Sequence, residues 1–258
     1  MFMKVSIITS CYNRKDTVRN AIESVLSQDY SDIEYIIVDG ASTDGTQKAI
    51  EEMINDKPAH IDIKYISEPD SGMYEALNKG IRMATGEVIA LLHSDDMMFD
   101  THTVSDVMRE MEHTGCDFLY ADGLFVDAQR TEKVVRNWIG GRYSKWKVRH
   151  GWLPLHPTCY IRREVMERLG LYDESYRIAA DTDLLVRYLL ENDLKVEYLK
   201  RYVVRMRMGG LSTDNSRRAK MWKEDIRVYR SHGFRHVTLT KIEKMMWKVP
   251  QFIKAKFI

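Results

Sequence analysis

VIALLHSDDMMF, residues 88–99, is the stretch on which the reading of this chain turns. Its apolar run VIALL stops abruptly at His93-Ser94-Asp95-Asp96. A continuous apolar run of this length suits a strand buried on both faces, as parallel strands are when helices cover them. The C-terminal edge of such a strand is where open α/β sheets bind ligands. Two adjacent carboxylates there repel one another unless a cation or hydrogen-bond donors hold them. The stretch therefore presents either a divalent-metal site or a helix N-cap, since Ser and Asp also satisfy the free amides that open a helix.

Toward the N-terminus, apolar runs and amphipathic segments alternate. The pattern predicts strands over 4–9, 33–38 and 61–66, with helices over about 17–28, 44–55 and 73–83 between them. Val18, Ala21, Ile22, Val25 and Leu26 recur at helical spacing and form the inward face of the first helix. The resulting β-α-β-α-β-α-β order predicts a mostly parallel sheet with right-handed crossovers. Such repeats bring every strand's C-terminal end to one edge, so Thr9–Asn13, Asp39, Glu68–Gly72 and Asp95–Asp96 converge there. Asp39 is placed to accept bonds from a ribose or base, or to cap the GASTDGT turn. No GxGxxG and no GxxxxGK[ST] occurs, so neither a dinucleotide cradle nor a P-loop supplies a phosphate site. A cation is then the expected carrier of a diphosphate's charge.

Toward the C-terminus, the pattern predicts a helix over 101–114 and a strand over 118–126 that begins a hairpin returning near 132–135. A short strand over 157–162, helices over 163–169 and 182–192, and one or two strands over 196–207 follow. Between Arg130 and Arg149, seven Arg or Lys stand against one Glu, interleaved with Trp138, Tyr143 and Trp146. No period is visible there, and a basic, aromatic loop is expected. In IAADTD (178–183), Asp181 and Asp183 stand two apart at a loop-to-helix junction. A carboxylate there can serve as a general base, and helix capping explains either acid equally. His156 in LPLHP reads as a ligand, an acceptor contact or a core histidine. GGLST (209–213) reads as a turn, followed by a polar helix over about 215–232. Residues 238–258 hold five lysines and one Glu among Leu239, Ile242, Met245, Met246, Trp247, Phe252, Ile253, Phe257 and Ile258. That composition suits a membrane surface with snorkelling lysines, or docking on the domain or on a second subunit.

Composition narrows the classes. With 258 residues, 44% of them hydrophobic, the chain can bury one sizeable core. Its 5 prolines and 10% aromatics argue against a disordered or collagen-like chain. A formal charge of +1 gives no global field for nucleic acid, and no nucleic-acid partner is expected. Cys11, Cys116 and Cys159 are too widely spaced for a zinc pattern or a disulfide scaffold and read as buried thiols of a reducing compartment. No run approaches the ~20 apolar residues that cross a bilayer.

Taken in order, VSIITSCYNR, AIESVLSQDY, YIIVDGASTDGT, EPDSGMYEALNKGI, ATGEVIALLHSDD, LPLHPTCYIRRE and AADTDLLVRYL resemble the family 2 inverting glycosyltransferases with the GT-A fold. The likeness is greatest to bacterial enzymes of capsular, exopolysaccharide and lipopolysaccharide assembly, and it spans roughly residues 4–200. It implies an α/β chain with a Rossmann-like, mostly parallel sheet flanked by helices. A GT-A domain over 1–210 would comprise a nucleotide-sugar half (about 1–100) and an acceptor half (about 101–210). Residues 211–258 would form a basic, amphipathic helical extension.

The resemblance also implies roles. Thr9, Tyr12 and Asn13 would line the uridine side, and Asp39 would bond the base or ribose. Asp70, Gly72 and Asn78 would shape the nucleotide pocket. Asp95 and Asp96 stand at a DXD-like motif for Mn2+ or Mg2+, with Asp96 the direct ligand. Asp181 matches the catalytic base, with Asp183 as the alternative, and Arg149, Trp152 and His156 would meet the acceptor. Two residues depart from the pattern: His93 stands where many members carry Asp or Asn, and Ala180 where many carry Glu. The implied substrates are a UDP-linked sugar donor and a glycan or polyprenyl-diphosphate-linked acceptor. The implied setting is cytoplasmic, peripheral on the inner membrane, with a homo-oligomer through the C-terminal segment as a further expectation. Two other classes share the fold: a non-catalytic nucleotide-binding or scaffold protein, and a sugar-phosphate nucleotidyltransferase. The latter lacks its triphosphate loop here.

Overall fold

Strands β1 (Val5–Cys11), β2 (Ile33–Asp39), β3 (Ile61–Ser67) and β4 (Val88–Leu91) lie side by side in the order β3-β2-β1-β4, all parallel. They belong to a computed structural model that describes residues 3–55, 57–209 and 218–255. Helices α1 (Val18–Leu26), α2 (Thr46–Asn55) and α3 (Met73–Met83) make the crossovers. Successive side chains alternate between two apolar layers. Ile8, Ile36, Val38, Ile89 and Leu91 pack with Tyr74, Leu77 and Ile81 of α3, while Ile7, Tyr35, Ile37, Val88 and Ala90 pack with Ile22 and Val25 of α1 and Ile50 of α2. Burial on both faces is why these strands read as unbroken apolar runs.

β4 is shorter than expected. Leu92 N still donates to Ile8 O (3.0 Å), but Asp96 N donates to His93 O (2.9 Å), closing a turn. Both acids therefore sit in a tight turn beyond the strand, not on it. β5 (Met97–Met98) follows, then α4 (Thr103–Thr114) and the long β6 (Phe118–Val126).

The basic segment is ordered, contrary to the loop expected there. It forms β7 (Val134–Trp138), antiparallel to β6, and α5 (Lys145–Arg149), whose Ser144 Oγ accepts from Lys147 N (3.3 Å). Its elements are too short to display a period, and its cations mask the buried Arg136, Trp138 and Val148. β8 (Cys159–Arg162), α6 (Arg163–Leu169), α7 (Ala180–Glu191) and β9 (Val196–Arg207) complete the sheet. Its order continues β4-β8-β6-β9-β5. β8 is antiparallel to β4 and β6, and β9 is parallel to β6. The sheet is thus parallel over β1–β4 and mixed beyond.

Of GGLST, only Gly209 falls within the described residues, and the start of the expected polar helix lies outside them. α8 (Arg218–Ser231), α9 (Val237–Met246) and α10 (Val249–Lys254) follow. Here Lys241 and Lys244 turn inward instead of snorkelling outward. Lys241 and Lys244 bond the buried Asp225, the latter at 2.8 Å, while Leu239, Ile242, Met245, Met246, Val249, Phe252 and Ile253 stay exposed. A buried carboxylate demands positive partners, and that demand sets the helix's rotation.

Candidate active site

The parallel register aligns Cys11 with Asp39 and Asp39 with Ser67, while Ile8 pairs Leu91. The four strand tips therefore open on one edge, above a cleft of about 770 Å³. Two loops at this edge are knitted together. Asp39 accepts from Ser42 N (2.9 Å), from the hydroxyls of Ser42 and Ser67, and from Cys11 Sγ (3.6 Å). Asn13, at φ 52, donates its N–H to Ser42 Oγ (2.8 Å), and its Oδ1 accepts from Thr43 N (2.9 Å). Asn tolerates this left-handed conformation better than most residues. Ala41 at φ 59 does not, and the bond from Gly40 N to Cys11 O (2.9 Å) on one side and those from Ser42 to Asp39 on the other hold it there.

Beside this knot, Asp70 Oδ1 accepts from Gly72 N (2.9 Å), and a Cβ at Gly40 would meet Asp70 Oδ2 at 2.5 Å. Gly40 thus makes room for the carboxylate, and Gly72 at φ 147 supplies the turn into α3 that only glycine adopts cheaply. Burial pushes Asp70 upward in pKa.

Asp96 is buried. Its Oδ1 accepts from Arg207 N (3.0 Å), while its Oδ2 has no hydrogen-bond partner among the described residues. Burial, then neighbouring Asp95, hold Asp96 well above the usual carboxylate range. Both acids line the cleft. An orphaned carboxylate oxygen next to a second carboxylate fits a divalent cation. Among the described residues no group of three or more His, Cys, Asp or Glu converges on a metal position. An ion that completes its shell with substrate phosphates and water needs no larger protein group.

On the facing wall, Asp181 opens α7. Its Oδ1 accepts from Thr182 N (2.7 Å) and meets Tyr74 OH at 3.5 Å, and among the described residues nothing bonds its Oδ2. Burial raises its pKa, against the pull of Lys244. A carboxylate tuned upward is the better proton acceptor near neutral pH. Tyr74 stacks on Tyr172 with ring centres 5.5 Å apart, and Tyr172 OH bonds His156 Nε2 (2.7 Å). Burial, then His93, push His156 down to about 3, so its ring is neutral.

The family described as Glycosyl transferase family 2 matches residues 6–170. This chain belongs to it. A glycosyltransferase of Nostoc sp. is 32% identical over 195 residues, covering 69% of this chain and 57% of the relative. This chain thus spans just over half the length of that relative. A PGL/p-HBAD biosynthesis glycosyltransferase of Mycobacterium bovis is 27% identical over 211 residues, covering 80% of this chain and 78% of the relative. Among solved structures, S. aureus TarS 1-349 in complex with UDP-GlcNAc superposes with a TM-score of 0.68 at 17% identity, covering 88% of this chain and 66% of that one. The mannosyltransferase PcManGT from Pyrobaculum calidifontis, in complex with GDP-Man and Mn2+, gives 0.64 at 16% identity, covering 99% and 74%. At these identities the likeness shows the shared GT-A fold.

Within this family 2 fold the residues named from sequence divide into those facing the cleft and those behind it. Tyr12, Asn13, Asp70, Gly72, Asp95, Asp96, Trp152, His156 and Asp181 line it. Thr9 and Asp39 are fully buried beneath it, Thr9 accepting from Tyr35 OH (3.0 Å). Asn78 braces the far loop, donating to Tyr172 O (2.9 Å) and accepting from Tyr172 N (3.0 Å). Asp183 points away, to Arg187 (3.2 Å) and His232 Nε2 (2.9 Å). Arg149 is outside the lining. Sequence reading assigned no role to Tyr74; it took Arg136 as one of the basic residues of 130–149 that could meet a polyprenyl-diphosphate-linked acceptor, and Lys244 and Lys248 as snorkelling lysines of 238–258. Lysines at 241, 244 and 248 follow helical spacing, a signal that was legible as one stripe.

Proposed function

We propose that the chain is an inverting glycosyltransferase that moves a sugar from a nucleotide-sugar, UDP-linked, to a hydroxyl of a glycan or polyprenyl-diphosphate-linked saccharide in cell-surface polysaccharide assembly. The observation that carries this reading is the cleft shared by Asp181 and by Asp96, whose Oδ2 has no hydrogen-bond partner among the described residues. Residues 1–100 bind the donor in this proposal, residues 101–210 meet the acceptor, and the C-terminal helices α8 to α10 close the far wall. Tyr12, Asn13 and Asp70 position the nucleoside. Asp39, saturated by its loop, acts by holding Asn13 and Ser42 in place.

Asp96 and Asp95 would hold Mn2+ or Mg2+. That ion supplies charge stabilisation for the departing diphosphate. Asp181 takes the acceptor's proton as the hydroxyl attacks from the face opposite the leaving group. One displacement inverts the anomeric centre, with no covalent sugar on the protein. Tyr74 and Thr182 orient Asp181, and neutral His156 with Trp152 packs against the acceptor.

No helix among the described residues is long and apolar enough to cross a membrane. The exposed apolar face of α9 and α10 would instead rest on the cytoplasmic surface of the inner membrane. Asp181→Asn is expected to lower transfer by about 10²–10⁴-fold with UDP affinity retained, as read by nucleotide release and by titration. Near wild-type transfer would remove Asp181 as the base. Phe252→Ser with Ile253→Ser should reduce flotation with anionic vesicles; unchanged flotation together with a loss of dimer would assign that face to a second copy.

A further inference from the structure

The end of the cleft away from Asp95 and Asp96 is walled by positive charge. Arg136 of β7 and Lys241, Lys244 and Lys248 of the C-terminal helices all line it. Among the described residues, Asp225 is the one carboxylate in ion-pair contact with this group, and it serves Lys241 and Lys244. Arg136 is only 9% exposed. Its Nε donates to Gln251 Oε1 (2.5 Å), and its guanidinium carbon lies 4.3 Å from the ring centre of Phe125 and 5.7 Å from that of Phe252. No carboxylate among the described residues pairs with Arg136 or with half-buried Lys248. Burial, then the charges of Lys244, Arg136 and Lys241, push Lys248 down to about 8, and burial pushes Arg136 down to about 10. A buried cation without a counter-charge is costly, and a protein retains one where a ligand supplies the anion.

We propose that this wall is a phosphate subsite for the acceptor, in which a phosphate ester on the sugar-receiving molecule docks on Arg136 and Lys248 with Lys244 at its inner edge. The assignment rests on the glycosyl-transfer reading above. Arginine's fork suits two phosphate oxygens at once. Lys244 Nζ donates to Thr182 Oγ1 (3.0 Å), the residue after Asp181, so the anchored phosphate and the base share one wall. Gln251, which holds Arg136, lies on α10 among the exposed Val249, Phe252 and Ile253. Those side chains give the lipid portion of an amphiphilic phosphate an apolar path out of the cleft.

The test is calorimetric titration of the full chain, with saturating UDP and Mn2+ filling the donor side, using farnesyl phosphate, inorganic phosphate and farnesol as probes. Farnesyl phosphate should bind, farnesol should not, and Lys248→Gln and Arg136→Gln should each weaken the phosphate ester by about tenfold or more with UDP affinity unchanged. Arg136→Gln empties a buried position between β7 and α10; if that variant unfolds, Lys248→Gln carries the test alone. Tighter binding of farnesyl phosphate than of inorganic phosphate supports a lipid-linked acceptor, and equal binding supports a phosphate-only ligand at the same subsite. Identical affinities in wild type and Lys248→Gln, or displacement of the ester by UDP, would overturn the subsite. If the ester binds and UDP does not, the donor reading falls and the subsite stands.

Discussion

At the strand-tip rim the cleft is lined by the acids Asp70, Asp95 and Asp96, whereas its far wall carries Arg136, Lys241, Lys244 and Lys248 beside the base Asp181. The titration tendencies mirror this. Asp70, Asp96 and Asp181 are pushed up, chiefly by burial, while Arg136 and Lys248 are pushed down by it. Among the described residues, Asp96 at the rim and Arg136 and Lys248 at the far wall have no opposite charge paired with them, and the two ends are of opposite sign. Between them Asp225 is different: despite burial it is lowered, with Lys244 and Lys241 as the stabilising charges, so that cluster is internally satisfied. Unbalanced charge marks where a ligand completes the electrostatics, and balanced charge marks where the fold is being held.

The largest effect belongs to the rim. Asp96→Ala should cut kcat/KM by on the order of 10²–10³-fold and abolish any strengthening of UDP binding by Mn2+, measured by titration with and without the ion. Retained metal dependence would break the contrast, because the rim would then not be where positive charge is required.

Next comes the balanced cluster. Asp225→Ala strands Lys241 and Lys244 and should cost about 3–5 kcal/mol, seen as a drop in the midpoint of thermal unfolding. A change smaller than about 1 kcal/mol, the range of exposed pairs, would move Asp225 from scaffold to ligand-dependent charge.

The smallest effect is the pH dependence of the Asp183–His232 pair, which lies behind the wall. Burial opposes ionisation of Asp183, but the His232 hydrogen bond and Arg187 bring it below 3.8; the bond to Asp183, against burial, brings His232 above 6.5. The Asp183 contribution is present above its unfolded value and fades as pH falls through its lowered one. The His232 contribution is full below its unfolded value and fades as pH rises through its raised one. The stability difference between wild type and His232→Gln should therefore be greatest between about pH 4 and 6.5 and shrink on either side. A difference that grows above pH 8 would show that the pair is not ionic.

Much of the rim was legible in order along the chain. VSIIT, YIIV and VIALL are apolar without a break because both faces of β1, β2 and β4 are covered, and the β-α repeat forces their polar tips to one edge. What the pattern did not show there was local: Asp39 and Thr9 lie under the floor, since the Ser42, Ser67 and Cys11 donors and the Tyr35 hydroxyl claim them. Asp183 could not be told from Asp181 by spacing, because only the helix's rotation sends one to the cleft and the other to His232.

The amino-acid sequence by itself determined the parallel half, the shared edge and the acids on it, because period, burial and crossover handedness act through neighbouring residues. Tertiary structure alone decided the cationic wall. Arg136 and Lys244 stand far apart along the chain, and they line one cleft because buried Asp225 draws Lys241 and Lys244 inward and Gln251 reaches β7 to hold Arg136.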